Sequence, residues 1–143
     1  EQSWVGSLHA ESLGVLVSTI LVVDDEESVL RLFGTFFESR GYQTRVAHNG
    51  LEALTIVKSE PLGAVFLDLK MPEMDGVEAL RLIREIDPDL PVVVVSGFAT
   101  EDLARKVLKA GAFDFVAKPV VLSHLGKIVE QLEEVRAARS DES

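Results

Sequence analysis

No cysteine occurs anywhere in the 143 residues, which removes disulfides, thiolate metal sites and cysteine nucleophiles, and fits a reducing compartment with the cytoplasm as the expected location. No apolar run approaches the roughly 20 residues of a membrane helix, and the first residues lack the basic start of a secretory signal. A soluble chain with no membrane partner is therefore expected. Positive charge is also scarce: 14 Lys and Arg stand against 24 Asp and Glu, a net charge of -10. Such a surface is not built to neutralise phosphates, so no direct contact with nucleic acid is expected. There is no internal repeat and no low-complexity block. What remains is a 47% apolar chain about one domain long, enough for a single buried core.

Residues 1–18 mix Ser and Gly with scattered apolar residues and read as a linker, a tail or an added remnant, although Trp4, Leu8 and the apolar run over 13–17 suit packing against something. From Thr19 the pattern sharpens. Short β-branched runs at 20–23, 44–47, 64–67, 92–95 and 113–117 alternate with segments of helical spacing. The first of these segments carries Val29, Leu32, Phe33, Phe36 and Phe37 and stops at Gly41, while another stops at Gly111. Asn49 and Asp75 stand where N-caps belong, and Pro61, Pro88 and Pro91 punctuate the turns. Five strands alternating with five helices call for an α/β fold, a doubly wound parallel sheet between helix layers, flavodoxin-like or near it. The last helix is expected to give way to a frayed terminus over 139–143.

The chain is organised around Val65-Phe66-Leu67-Asp68, which reads as the end of a strand buried on both faces that delivers one carboxylate and then breaks into a loop. Ligands of open α/β sheets bind beyond the carboxyl ends of the strands. At those ends stand Asp24 and Asp25 after the first strand, Asp68 after the third, Ser96-Gly97 after the fourth and Lys118-Pro119 after the fifth. Taken singly, each is a turn former, a cap or a solvated charge. Together they form a set. Three converging carboxylates repel unless a cation joins them, and an oxygen-rich acidic pocket suits magnesium, with manganese as a substitute. Lys118 and the Ser96 hydroxyl then complete a clamp for a phosphoryl group, with Asp68 as its carboxylate acceptor.

On these residues the chain resembles a response-regulator receiver domain of two-component signalling over residues 19–138. Asp24-Asp25 is similar to the acidic pair of that family. Asp68 matches the phosphoacceptor in its Asp-Leu-x-Met-Pro-x-Met-Asp-Gly setting, Ser96 the switch hydroxyl, Phe115 the switch aromatic and Lys118-Pro119 the lysine with its proline. The resemblance implies strand order 2-1-3-4-5 and a cis Lys118-Pro119 bond. It implies magnesium held by Asp25, Asp68 and the Lys70 backbone carbonyl, with Asp24 acting mainly through water. It also implies a histidine kinase or histidine phosphotransfer domain as phosphodonor, an output domain or partner reached through the fourth helix, fifth strand and fifth helix, and a homodimer as an open alternative. Such a domain is a phosphoacceptor with at most self-phosphotransfer and slow self-dephosphorylation, and not a turnover enzyme.

Serine replaces the commoner threonine at Ser96 and phenylalanine the common tyrosine at Phe115, so the switch should read by packing. Lys70 and Phe98 stand at two variable positions that in receivers shape water access, and a long cation beside a bulky ring suggests slowed hydrolysis. The segment from Gly111 to Phe115 resembles receivers joined to transcriptional activators or hybrid kinases.

The same residues bear on three rival functions. A haloacid-dehalogenase-type phosphatase needs a second acid where Lys70 stands. A flavodoxin needs a phosphate-cradling loop where Asp24 to Glu27 would repel one. A phosphorylation-independent docking module is the remaining alternative, and the complete set of acids, hydroxyl and lysine weighs against it.

Overall fold

A computed structural model describes residues 19–70, 75–98 and 100–142, with side chains through Arg139. The expectations for 1–18, and the Met-Pro-Glu-Met part of the motif at 71–74, lie outside the described residues. In chain order the elements are β1 (Thr19–Val23), α1 (Glu27–Ser39), β2 (Gln43–Ala47), α2 (Gly50–Ser59), β3 (Ala64–Asp68), α3 (Gly76–Ile86), β4 (Val92–Ser96), α4 (Glu101–Lys109), β5 (Asp114–Ala117) and α5 (Leu122–Glu142). The strands form one parallel sheet in the order β2-β1-β3-β4-β5, as expected.

Strand side chains alternate faces, and here both faces are apolar, so each central strand feeds two cores. Ile20, Val22, Ala64, Phe66, Val93 and Val95 join Leu30, Phe33 and Phe37 of α1 and Leu125, Ile128 and Leu132 of α5. Leu21, Val23, Val65, Leu67, Val92 and Val94 join Ala53 and Val57 of α2, Leu80 and Ile83 of α3 and Val107 of α4. The first core is aromatic at its centre, with Phe33, Phe37 and Phe66 at centroid separations of 5.9, 6.0 and 4.9 Å.

The helix ends follow their residues. Asn49 accepts from the Glu52 amide at 2.9 Å, Asp75 from Val77 at 3.2 Å, and Thr100 caps α4 through the Leu103 amide at 3.1 Å. Gly41 and Gly111 take φ of 94° and 108°, the left-handed turn that ends α1 and α4. A frayed terminus is the expectation for 139–143, and the helical stretch of α5 extends through Glu142. No Gly or Pro interrupts the Val-Arg-Ala-Ala-Arg run, and the Arg139 guanidinium donates to the Asp89 carbonyl at 2.7 Å, tying the helix to the turn before β4.

Gly34 sits inside α1, where glycine costs about 0.5–1 kcal/mol relative to alanine. A Cβ there would meet only Thr44 Oγ1, at an ordinary 3.8 Å. Gly34→Ala should therefore stabilise the fold by about 0.5–1 kcal/mol, read as a higher urea midpoint with unchanged slope.

Candidate functional site

The site lies at the carboxyl edge of the sheet because the register brings β1, β3, β4 and β5 to one rim. Val23 pairs with Leu67, Asp68 with Val95, and Ser96 with Ala117, so the residues that follow or end these strands converge. Asp24, Asp68 and Ser96 are buried, at 2%, 4% and 2% exposure, and apart from the Tyr42 phenol no other polar side chain among the described residues is. Asp25 is exposed.

Lys118 stands opposite the acids, with Nζ at 3.1 Å from Asp24 Oδ2 and 3.6 Å from Asp68 Oδ2. The second oxygen of each acid meets backbone: Asp24 Oδ1 accepts from the Glu26 amide at 2.9 Å, and Asp68 Oδ1 from the Lys70 amide at 3.2 Å. Ser96 Oγ accepts from the Phe98 amide at 3.0 Å, leaving its proton to be aimed elsewhere. The Lys118-Pro119 bond is cis.

A cavity of about 380 Å³ opens over these groups, lined by Asp25, Glu26, Asp68, Lys70, Gly97, Phe98 and Lys118. At its mouth the Lys70 ammonium lies 5.2 Å from the centre of the Phe98 ring, a cation–π contact between two exposed side chains. Glu26 stands outside the strand-end set that the sequence offers, while Gly97 enters it only as the companion of Ser96. Glu26 is the third acid of the run after β1, and Gly97 is the residue that follows the Ser96 hydroxyl.

Burial raises the Asp68 carboxyl above its ordinary value, and the Asp24 charge adds to the rise. The Lys70 amide and the Lys118 ammonium offset it in part. For Lys118, burial works against the charge, but the bond to Asp24 and the fields of Asp68 and Asp24 outweigh it and raise the ammonium.

One oxygen from each of Asp24, Asp25 and Asp68 lies within 4.8 Å of the others. Opposite vertices of a magnesium shell with ligands at about 2.1 Å are about 4.2 Å apart, so the donor set fits a small hard cation with a slight closure, water completing the shell. Phe115 is placed away from this pocket. It is half-buried on β5, packs with the α2-α3-α4 core, and lines a groove of about 500 Å³ with Thr100, Glu101, Ala104, Val121 and His124. The expected switch pair therefore divides between the two places: Ser96 is at the pocket and Phe115 is at the groove.

Comparison with known proteins gives one consistent answer. The family model for the response regulator receiver domain matches residues 20–130. The chain is 35% identical to the regulatory protein AtoC of Escherichia coli (strain K12) over 125 residues, 87% of this chain and 27% of that protein. It is 38% identical to the transcriptional regulatory protein ZraR of Klebsiella oxytoca over 101 residues, 71% of this chain and 23% of that protein. The chain thus spans about a quarter of these curated relatives. Among solved structures, a CheY-like response regulator receiver domain protein from Methanospirillum hungatei JF-1 superposes with a TM-score of 0.81 at 26% identity, covering 86% of this chain and 98% of that one.

The raised Asp68 carboxyl fixes a sign. A carboxyl whose folded pKa exceeds its unfolded value favours the fold when protonated, so this group withdraws stability as pH rises through its folded pKa and restores it as pH falls. At neutral pH without metal, Asp68→Asn should melt higher than the parent, by about 3 °C if the relieved repulsion is about 1 kcal/mol. Magnesium should raise the melting temperature of the parent more than that of the variant. Thermal scans with and without the ion check both.

Proposed function

The chain belongs to the response regulator receiver domain family, and from that premise we propose that Asp68 takes a phosphoryl group from a phosphohistidine of a histidine kinase or histidine phosphotransfer domain. The observation that carries the reading is a buried carboxylate opening into a cavity lined mostly by charged residues, with an ammonium 3.6 Å from one oxygen. An Asp68 oxygen attacks the phosphorus, the phosphorus–nitrogen bond breaks, and its electron pair returns to the donor imidazole, leaving an acyl phosphate.

Lys118 offsets charge on the phosphoryl oxygens and Asp24 keeps that ammonium in place. The Ser96 hydroxyl donates to a phosphoryl oxygen. Magnesium would be held by Asp25, Asp68 and the Lys70 carbonyl, with Asp24 through water, and would supply charge neutralisation for the transferring group. The Lys70 amide, bonded to Asp68 Oδ1, fixes the carboxylate plane. The product is a change of state in the domain, which acts as an acceptor and not as a turnover enzyme.

The signal leaves through β4 and β5. When Ser96 turns toward the new oxygen it vacates space behind it, and Phe115 moves inward from the groove between α4 and the start of α5. The groove and the helices around it are the surface offered to an output domain or partner. A contact difference of about 1–3 kcal/mol suffices to shift the populations.

Incubation with acetyl phosphate and magnesium should add one phosphoryl mass to the intact chain, and Asp68→Asn should abolish the addition. Equal modification of the variant refutes the acceptor. Phe115→Ala should accept the group at a similar level yet lose most of the phosphorylation-dependent amide shifts across 101–122. Persistence of those shifts in the alanine variant rules out the aromatic route.

A further inference from the structure

We propose that Gly76 is a positioning residue for the acceptor site, holding the Leu69 backbone between Asp68 and Lys70 in the geometry that cation binding needs. The proposal rests on the reading of the acid cluster given above. Gly76 is buried and opens α3, one residue after the Asp75 cap. A Cβ at this position would lie 2.4 Å from Leu69 Cα, 2.6 Å from its carbonyl oxygen and 2.8 Å from its carbonyl carbon. Carbons in contact sit about 3.5–4.0 Å apart, so no side chain fits unless backbone moves.

What would move is the segment that carries the site. Leu69 follows Asp68 directly, and on its other side its amide is bonded to the Val95 carbonyl of β4 at 3.3 Å. Leu69 is thus clamped between β4 and the first turn of α3. Lys70 comes next, with its amide on Asp68 Oδ1 and its carbonyl expected among the cation ligands. A β-carbon at 76 pushes outward on the one residue that links the two. Gly76 has no positive φ, so its role is close approach and not a special backbone angle.

Intrinsic propensity runs the other way, since alanine is the better helix former, so an effect of Gly76→Ala reports the contact. Outer contacts of a metal site typically alter affinity about 10–100-fold when removed. The experiment compares magnesium binding by calorimetry in the full chain and in Gly76→Ala, both carrying Gly34→Ala to add stability far from the site, with the Lys70 amide resonance followed in parallel. The control is Gly111→Ala, which strains a φ of 108° at the opposite end of the sheet and crowds Arg84.

The expected result is a dissociation constant raised about tenfold or more and a displaced Lys70 amide in the folded Gly76→Ala protein. Gly111→Ala should lose stability with affinity unchanged. Unchanged affinity in Gly76→Ala overturns the proposal, as does an equal loss of affinity in Gly111→Ala. Failure of Gly76→Ala to fold in the stabilised background also overturns it, by making Gly76 a requirement of the fold. Absence of magnesium binding in the unsubstituted chain refutes the reading of the acid cluster instead.

Discussion

One ammonium shared between two buried carboxylates is the interaction on which the rim of this sheet depends. Asp24 and Asp68 are removed from water within a few ångströms of each other, a placement that desolvation and repulsion both oppose. Lys118 answers part of that charge from the far side of the sheet, across 94 residues of chain to Asp24. The remaining oxygens are answered by backbone amides from the loops, those of Glu26 and Lys70. Balance is left incomplete on the side facing the cavity, where exposed Asp25 adds a third acid. A group that brings positive charge, or one that replaces a carboxylate charge with oxygens spread toward Lys118, finds its partners already arranged.

The fold supplies this arrangement because parallel strands all deliver their carboxyl ends to the same side. The crossover helices that parallel pairing requires cover both faces, so the strands must be apolar throughout and polar groups are displaced to their ends. Val92 to Val95 is buried over its whole length and Ser96 is the first polar side chain that follows. The edge strands differ in the expected direction: β2 exposes Gln43, Arg45 and Val46, and Arg45 is held by a bidentate pair with Glu60 that puts charge along the open edge.

The strands, the parity of their side chains and the gathering of Asp24, Asp25, Asp68, Ser96 and Lys118 at one rim were legible because each depends on local sequence: a β-branched run, then a polar residue. The Asn49 and Asp75 caps were legible for the same reason. Less local facts were not. Tyr42 donates to Glu133 at 2.6 Å, and burial followed by that carboxylate raises its phenol strongly, yet no spacing rule joins residues 91 apart. His48 lies between Glu27 and Glu52, bonding α1 to the start of α2, which the separate motifs do not disclose. Gly76 read as the ordinary end of a motif, because a close approach is visible only when Leu69 is beside it. The tie at the end of α5 is equally hidden, since the Asp89 carbonyl that Arg139 meets lies 50 residues earlier.

The division of the apolar interior into two separate clusters has a consequence for how such a chain tolerates change. Ile20 and Val22 answer to α1 and α5, while Leu21 and Val23 answer to α2, α3 and α4. Substitutions that share no partner and stand well apart add nearly independently, so altered volume at Phe37 leaves the fit around Ile83 untouched. The molecule carries two packing problems, each soluble alone, on either side of a common wall. Descendants of this sequence are free to remodel one helical flank, and whatever recognises it, while the opposite flank and the acidic rim stay as they were.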